Sequence, residues 1–284
     1  MMQIISEKRC IIGEGPIWND AEKRLYYTNG MDGNELCMYD LASKKLEVRA
    51  LRCGAAAYAF TKKNELIVSR QDGVFILNED DSVTPLYDTE KHKILYANDM
   101  KVGPDGRIYA GTQSGRRKGV SDKRDGKLFC IDKNGNVSVL IDGLSLSNGM
   151  EWSIDEKRFY HTDSDTGIIR EYFFNKEYGE ILFSGREVNV PGVDGFTIDR
   201  NDNLYVGCWG GGHIAVVNTD SMTVTEQIPV PTQIPTSCNF IGENMDTLAI
   251  TTASYGADIK KDENAGFTFL MSMSVQGRKP YLFG

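Results

Sequence analysis

The chain of 284 residues is 40% hydrophobic and 25% charged, the make-up of a globular protein with a sizeable core. Its formal net charge of -8 speaks against a nucleic-acid partner, whose phosphates call for clustered Lys and Arg. No apolar stretch approaches the roughly 18 residues needed to span a bilayer, so no membrane partner is expected.

At the amino terminus, Met1 to Cys10 lacks a basic start followed by an apolar run, so no secretory signal is read there and a cytoplasmic location is expected. Gln3 to Arg9 reads as an extended segment. Downstream, short apolar runs recur after polar turns: Leu25-Tyr26-Tyr27-Thr28, Leu66-Ile67-Val68-Ser69, Ile108-Tyr109-Ala110-Gly111-Thr112, Phe159-Tyr160-His161-Thr162, Leu204-Tyr205-Val206-Gly207 and Leu248-Ala249-Ile250-Thr251. Their starts are spaced by about 41 to 51 residues, the length of one propeller blade. The turn before each is of the kind that joins antiparallel strands, as in Pro104-Asp105-Gly106-Arg107 and Arg200-Asn201-Asp202-Asn203.

After each run comes a third strand opened by glycine or a polar turn: 34–39, 73–77, 126–131, 167–173, 212–217 and 266–271. A more polar fourth follows most of them, such as 45–51 and 137–141. No segment sustains apolar residues at helical spacing. The expected fold is all-β, a six-bladed β-propeller of four-stranded antiparallel blades filling residues 1–284 as one domain. Gln3 to Arg9 would add the outer strand of the last blade. A two-domain β-sandwich is the alternative architecture, disfavoured by the regular spacing.

Four polar clusters stand about ten residues before a second-strand run: Gly13-Glu14-Gly15-Pro16, Asn98-Asp99, Asn148-Gly149 and Asp194-Gly195. Singly, each is an ordinary turn or strand-entry sequence. Together they choose one register in four of the six repeats, and equivalent positions of a closed repeat fold converge on one axis. Two carboxylates and two amide oxygens gathered there suit a hard divalent metal ion: calcium, magnesium or manganese, with zinc admissible. The equivalent positions in the other two repeats are Ala55-Ala56 and Thr236-Ser237. Only three histidines exist, His92, His161 and His213, without paired spacing, and His161 reads as a strand residue. The six cysteines, Cys10, Cys37, Cys53, Cys130, Cys208 and Cys238, have no zinc-site spacing and read as buried reduced thiols.

The order and spacing of Glu14-Gly15-Pro16 with Trp18, Asn98-Asp99, Pro104-Asp105-Gly106-Arg107, Gly111-Thr112, Ser147-Asn148-Gly149 with Trp152, Asp194-Gly195, Trp209-Gly210-Gly211 and Pro235-Thr236-Ser237 resemble the senescence marker protein / gluconolactonase / luciferin-regenerating enzyme family. The resemblance covers nearly the whole chain. It implies a six-bladed propeller with one catalytic divalent metal, and a hydrolase that opens a sugar lactone to the hydroxy acid. On that resemblance Glu14, Asn148 and Asp194 are the metal ligands, Asp194 is also the general base, Asn98 contacts substrate or water, and Asp122 contacts substrate hydroxyls. Where the family often has an arginine, two residues before Asn98, this chain has Tyr96, which can stack on a sugar face but lacks a forked cationic donor.

The small-molecule partner expected is a sugar lactone, and the chain is expected to be a monomer or weak homo-oligomer. Three other readings of the same residues stay open: a calcium-binding regulatory protein without catalysis, a metal-dependent hydrolase of other esters, and an interaction propeller of the WD or kelch kind. The loops holding Arg116 and Arg117, and running from Tyr255 to Asn264, read as solvated connections.

Overall fold

The computed structural model describes residues 2–6, 8–52 and 54–284, without the side chain of Asp32. Met1 and Glu7 of the amino-terminal segment and Cys53 of the expected reduced thiols lie outside the described residues. Six four-stranded antiparallel sheets account for the regular structure, and they are the blades of a six-bladed β-propeller. The only helical turns among the described residues are two short 3₁₀ pieces, Met31–Gly33 and Ser164–Thr166.

The first blade is built from Ile12–Asn19, Arg24–Gly30, Glu35–Asp40 and Lys45–Ala50, the second from Ala57–Phe60, Leu66–Arg70, Gly73–Leu77 and Val83–Pro85. The third comprises Ala97–Val102, Ile108–Thr112, Gly126–Ile131 and Val137–Leu144, and the fourth Ser147–Trp152, Arg158–Asp163, Ile168–Asn175 and Glu180–Asn189. Val193–Ile198, Asn203–Cys208, His213–Asn218 and Thr223–Pro229 make the fifth. In the sixth, Pro235–Ile241, Thr247–Thr252 and Phe269–Ser272 are joined by Gln3–Ile4 as the outer strand, with Gln3 opposite Leu270.

The hairpins form because short polar side chains satisfy the turn amides. Asp199 Oδ1 accepts from the Asn201 and Asn203 amides at 2.8 and 2.9 Å, and Asn19 Oδ1 accepts from the Ala21 and Glu22 amides, each at 3.0 Å. Asp105 does the same for Arg107, at 3.1 Å.

The chain divides into two compact units: residues 1–54 with 188–280, and residues 55–187 with 281–284. The first holds the first, fifth and sixth blades. Its core gathers Trp18, Leu25, Tyr27, Tyr205, Phe240 and Phe269 among others, with the Tyr205 and Phe240 rings edge to face at 5.2 Å. The second unit holds the second, third and fourth blades. One of its core clusters is built on Tyr109, Trp152, Phe159 and Phe174, where Trp152 lies 4.8 Å from Tyr109 and 4.9 Å from Phe159 between ring centroids. Full burial of each such side chain stabilises by roughly 1.5–3 kcal/mol.

Blade-to-blade packing within each unit uses second-strand glycines. A Cβ on Gly111 would collide with the Ser147 side chain, and one on Gly207 would meet the Thr236 carbonyl. Each glycine thereby admits the first strand of the following blade. The five described cysteines are free and buried.

Candidate functional site

The polar clusters all sit on first strands, and those strands are irregular where the clusters occur. Register slips by one residue between Glu14 and Ile17, Ala97 and Met100, Asn148 and Met150, Val193 and Phe196, and Pro235 and Ser237. The second blade, whose first strand is Ala57–Phe60, pairs without a break. A β-bulge of this kind releases a residue from the ladder and re-aims its side chain.

Asn98, Asn148, Asp194 and Thr236 hold one equivalent position, two residues before the buried Met100, Met150, Phe196 and Cys238. Glu14 holds the same position, two residues before the buried Pro16 and four before Trp18, which pairs with Leu25 as Trp152 pairs with Phe159. Asp194 and Asn148 are each 5% exposed, whereas Glu14 and Asn98 are half-buried.

In the first unit, Glu14 and Asp194 lie on strands that both touch the first strand of the sixth blade. Thr236 Oγ1 donates to the Gly13 carbonyl at 2.5 Å and shares a 3.0 Å hydrogen bond with Thr251, while Asn239 Nδ2 donates to the Pro16 carbonyl at 2.8 Å. On the other side, a Cβ on Gly195 would collide with Ser237. Burial pushes the Cys208 thiol up to about 11, and the neighbouring Asp194 charge adds to that shift.

In the second unit, the Asn98 carboxamide is fixed at both ends. Its nitrogen donates to the Ser147 carbonyl at 3.2 Å, and its oxygen accepts from Gln113 Nε2 at 2.9 Å. Asn98 is thus brought against the strand that carries Asn148. Gln113 was not singled out in the sequence, because nothing in its neighbourhood marks it as more than a strand-end residue. Behind Asn148, Ser147 Oγ meets His161 Nε2 at 2.7 Å; burial lowers the His161 pKa to about 3 and keeps the ring neutral.

Tyr96 adopts φ +60°, a conformation unusual for a large side chain. Its amide donates to the Gln71 carbonyl at 2.7 Å and its carbonyl accepts from the Gln113 amide at 2.9 Å. Asp122 is exposed, in the loop between the second and third strands of the third blade.

The proposed donors, two carboxylates and an amide oxygen at bulged strand entries, are of the type a hard cation takes. Two of the three histidines are engaged elsewhere, His161 with Ser147 Oγ and His213 Nδ1 with the Gly211 carbonyl at 2.8 Å. Among the described residues, no three His, Cys, Asp or Glu side chains gather as a ligand set.

Residues 12–254 match the model of the SMP-30/Gluconolactonase/LRE-like region. The sugar lactone lactonase YvrE of Bacillus subtilis (strain 168), a provisional name, is 29% identical, the alignment covering 98% of this chain and 97% of that protein. Regucalcin of Gallus gallus is 26% identical over 99% of this chain and 98% of its own. Among solved structures, the calcium-binding protein regucalcin of Agrobacterium tumefaciens superposes with a TM-score of 0.88 at 23% identity, covering 100% of this chain and 97% of that one. With its six four-stranded blades and the family model matched from the first blade into the sixth, the chain belongs to the SMP-30/Gluconolactonase/LRE-like family.

Proposed function

We propose that this chain is a divalent-cation-dependent hydrolase that opens a sugar lactone to the corresponding hydroxy acid. The observation that carries the reading is that Glu14, Asn148 and Asp194 hold one register position on three first strands, each at a register break. Family membership and the name of the Bacillus subtilis relative support the substrate class. Glu14, Asn148 and Asp194 would hold calcium, magnesium, manganese or zinc. When bound, such a cation supplies Lewis acidity, polarising a carbonyl and lowering the pKa of water.

The chain's own groups supply the rest. Asp194 takes the proton from the attacking water as general base. Asn98 has one amide hydrogen committed to Ser147 and a second to give, so it donates to the carbonyl oxygen as negative charge develops there. Gln113 holds that carboxamide in the donating orientation. Tyr96 offers its ring to a sugar face, and Asp122 accepts from sugar hydroxyls. A monomeric or weakly self-associating cytoplasmic enzyme is the expected setting.

The test is acid release from a panel of aldonolactones, with metal-stripped protein and with each cation restored. Cation-dependent turnover that disappears in Asp194→Asn supports the hydrolase. Calorimetric binding of calcium with no turnover of any lactone or simple ester overturns it in favour of a calcium-binding protein.

A further inference from the structure

We propose that the lactone taken by this chain carries a negative charge, as a phosphoryl or a carboxylate group, and that Arg116, Lys118 and Lys123 form the subsite that receives it beside Tyr96. This rests on the hydrolase reading above and names its substrate class.

The chain as a whole is acidic, at -8, yet residues 116–125 hold five cationic side chains against two carboxylates. Two of the five are committed to the fourth blade. Arg117 Nη1 pairs with Asp165 at 2.5 Å and Arg124 Nη2 with Asp163 at 2.8 Å, and Asp163 is nearly fully buried, accepting also from the Ser145 and Leu146 amides. These two pairs fasten the loop. Arg116, Lys118 and Lys123 have no carboxylate partner among the described residues.

The loop is also folded on itself. The Arg116 amide donates to the Lys123 carbonyl at 3.1 Å, the Val120 amide to the Gly115 carbonyl at 2.9 Å, and Asp125 Oδ1 accepts from the Gly115 amide at 2.7 Å. The backbones of Arg116 and Lys123 are therefore paired, and both residues are exposed. A loop so rich in cations favours an incoming anion.

A second, independent observation lies in Tyr96. Its left-handed backbone is enforced by the bonds to Gln71 and Gln113, and such strain persists only where the surroundings over-determine it. In that conformation the ring lies beneath Lys118, whose Nζ is 5.7 Å from the ring centroid, within range of a cation–π contact. The same Gln113 fixes Asn98, so the aromatic wall and the carboxamide donor share one anchor, and Lys118 brings the cationic loop to that wall. A neutral sugar would need only the wall and the donor. Three cations with no carboxylate partner among the described residues, one of them on the wall itself, match a sugar bearing an anion.

The experiment uses the full chain with its cation restored and compares kcat/KM for phosphogluconolactone, glucarolactone and neutral gluconolactone. The wild type should favour at least one charged lactone by about tenfold or more, the size of one or two charge-assisted contacts. The preference should shrink as salt is added. Arg116→Glu combined with Lys118→Glu should cut the charged-to-neutral ratio by about tenfold. Which charged probe leads separates a phosphoryl from a carboxylate ligand. A wild-type ratio at or below one, or a ratio unmoved by the double substitution, overturns the subsite and leaves the hydrolase reading standing. If no lactone turns over, calorimetric binding of phosphogluconate decides. Salt-sensitive binding lost in the double variant upholds the anionic subsite and overturns the hydrolase; absence of binding overturns both.

Discussion

Ser147 Oγ and His161 Nε2 lie 2.7 Å apart in the interior of the fourth blade, one residue before Asn148. Both are buried, His161 at 2% exposure. Burial brings the imidazole pKa down to about 3, against a weaker opposing pull from Asp163. The folded ring thus takes a proton only near pH 3, whereas the unfolded ring takes one near its ordinary value of about 6.5. Between these values the unfolded chain binds the extra proton, so acidification favours unfolding. Stability from this group is complete above about pH 6.5 and falls by about 1.4 kcal/mol per pH unit below it. Urea unfolding at about pH 7 and about pH 5 should show His161→Gln losing less stability on acidification than the wild type. Parallel losses in the two proteins would mean that the ring titrates normally.

Much of the fold was legible because the repeat is carried by local chemistry. The second strands begin within a residue of the apolar runs beginning at Leu25, Leu66, Ile108, Phe159, Leu204 and Leu248, and the third strands Gly73–Leu77 and Gly126–Ile131 coincide with their glycine-opened runs. In the last blade the third strand begins at Phe269 rather than Gly266, because the Gly266 and Phe267 carbonyls are taken by the Cys10 amide and by Thr252 Oγ1. Those partners are distant in sequence and leave no local mark. The candidate residues were legible by register, but the bulges were not: a one-residue slip depends on pairing, which a single strand does not encode. The Gln113–Asn98 bond and the stacking of Lys118 on Tyr96 join separate strand ends and a loop, and were equally hidden.

Asp194→Asn is nearly isosteric and keeps a polar group at a buried position, so the protein should fold. Loss of a general base should lower kcat by about 10²- to 10⁴-fold. The stabilisation that added calcium confers on the wild type, read as a shift in Tm, should shrink because a charged donor is lost. Retained turnover in this variant would remove Asp194 from the proposed machinery.

Gly195 follows Asp194 inside the fifth-blade bulge, and a Cβ there would overlap the Ser237 Oγ and Cβ. Gly195→Ala should therefore destabilise by about 1–3 kcal/mol through overpacking. Ser237→Gly removes both overlapping atoms and should restore part of that loss in the double variant. Additive losses in a denaturant-unfolding cycle would show that the two residues do not press on each other.

Tyr96 gives a separate test of backbone strain. At φ +60° an asparagine is tolerated, whereas a β-branched side chain is not. Tyr96→Ile should be less stable than Tyr96→Asn by about 1–2 kcal/mol, although isoleucine is the more apolar residue at this half-buried position. Tyr96→Phe keeps the ring under Lys118 and should unfold at nearly the wild-type denaturant midpoint, since only an exchangeable hydroxyl is lost. The reverse order, with isoleucine the more stable, would show that side-chain burial outweighs backbone conformation here and that the ring is not held in place by the bonds to Gln71 and Gln113.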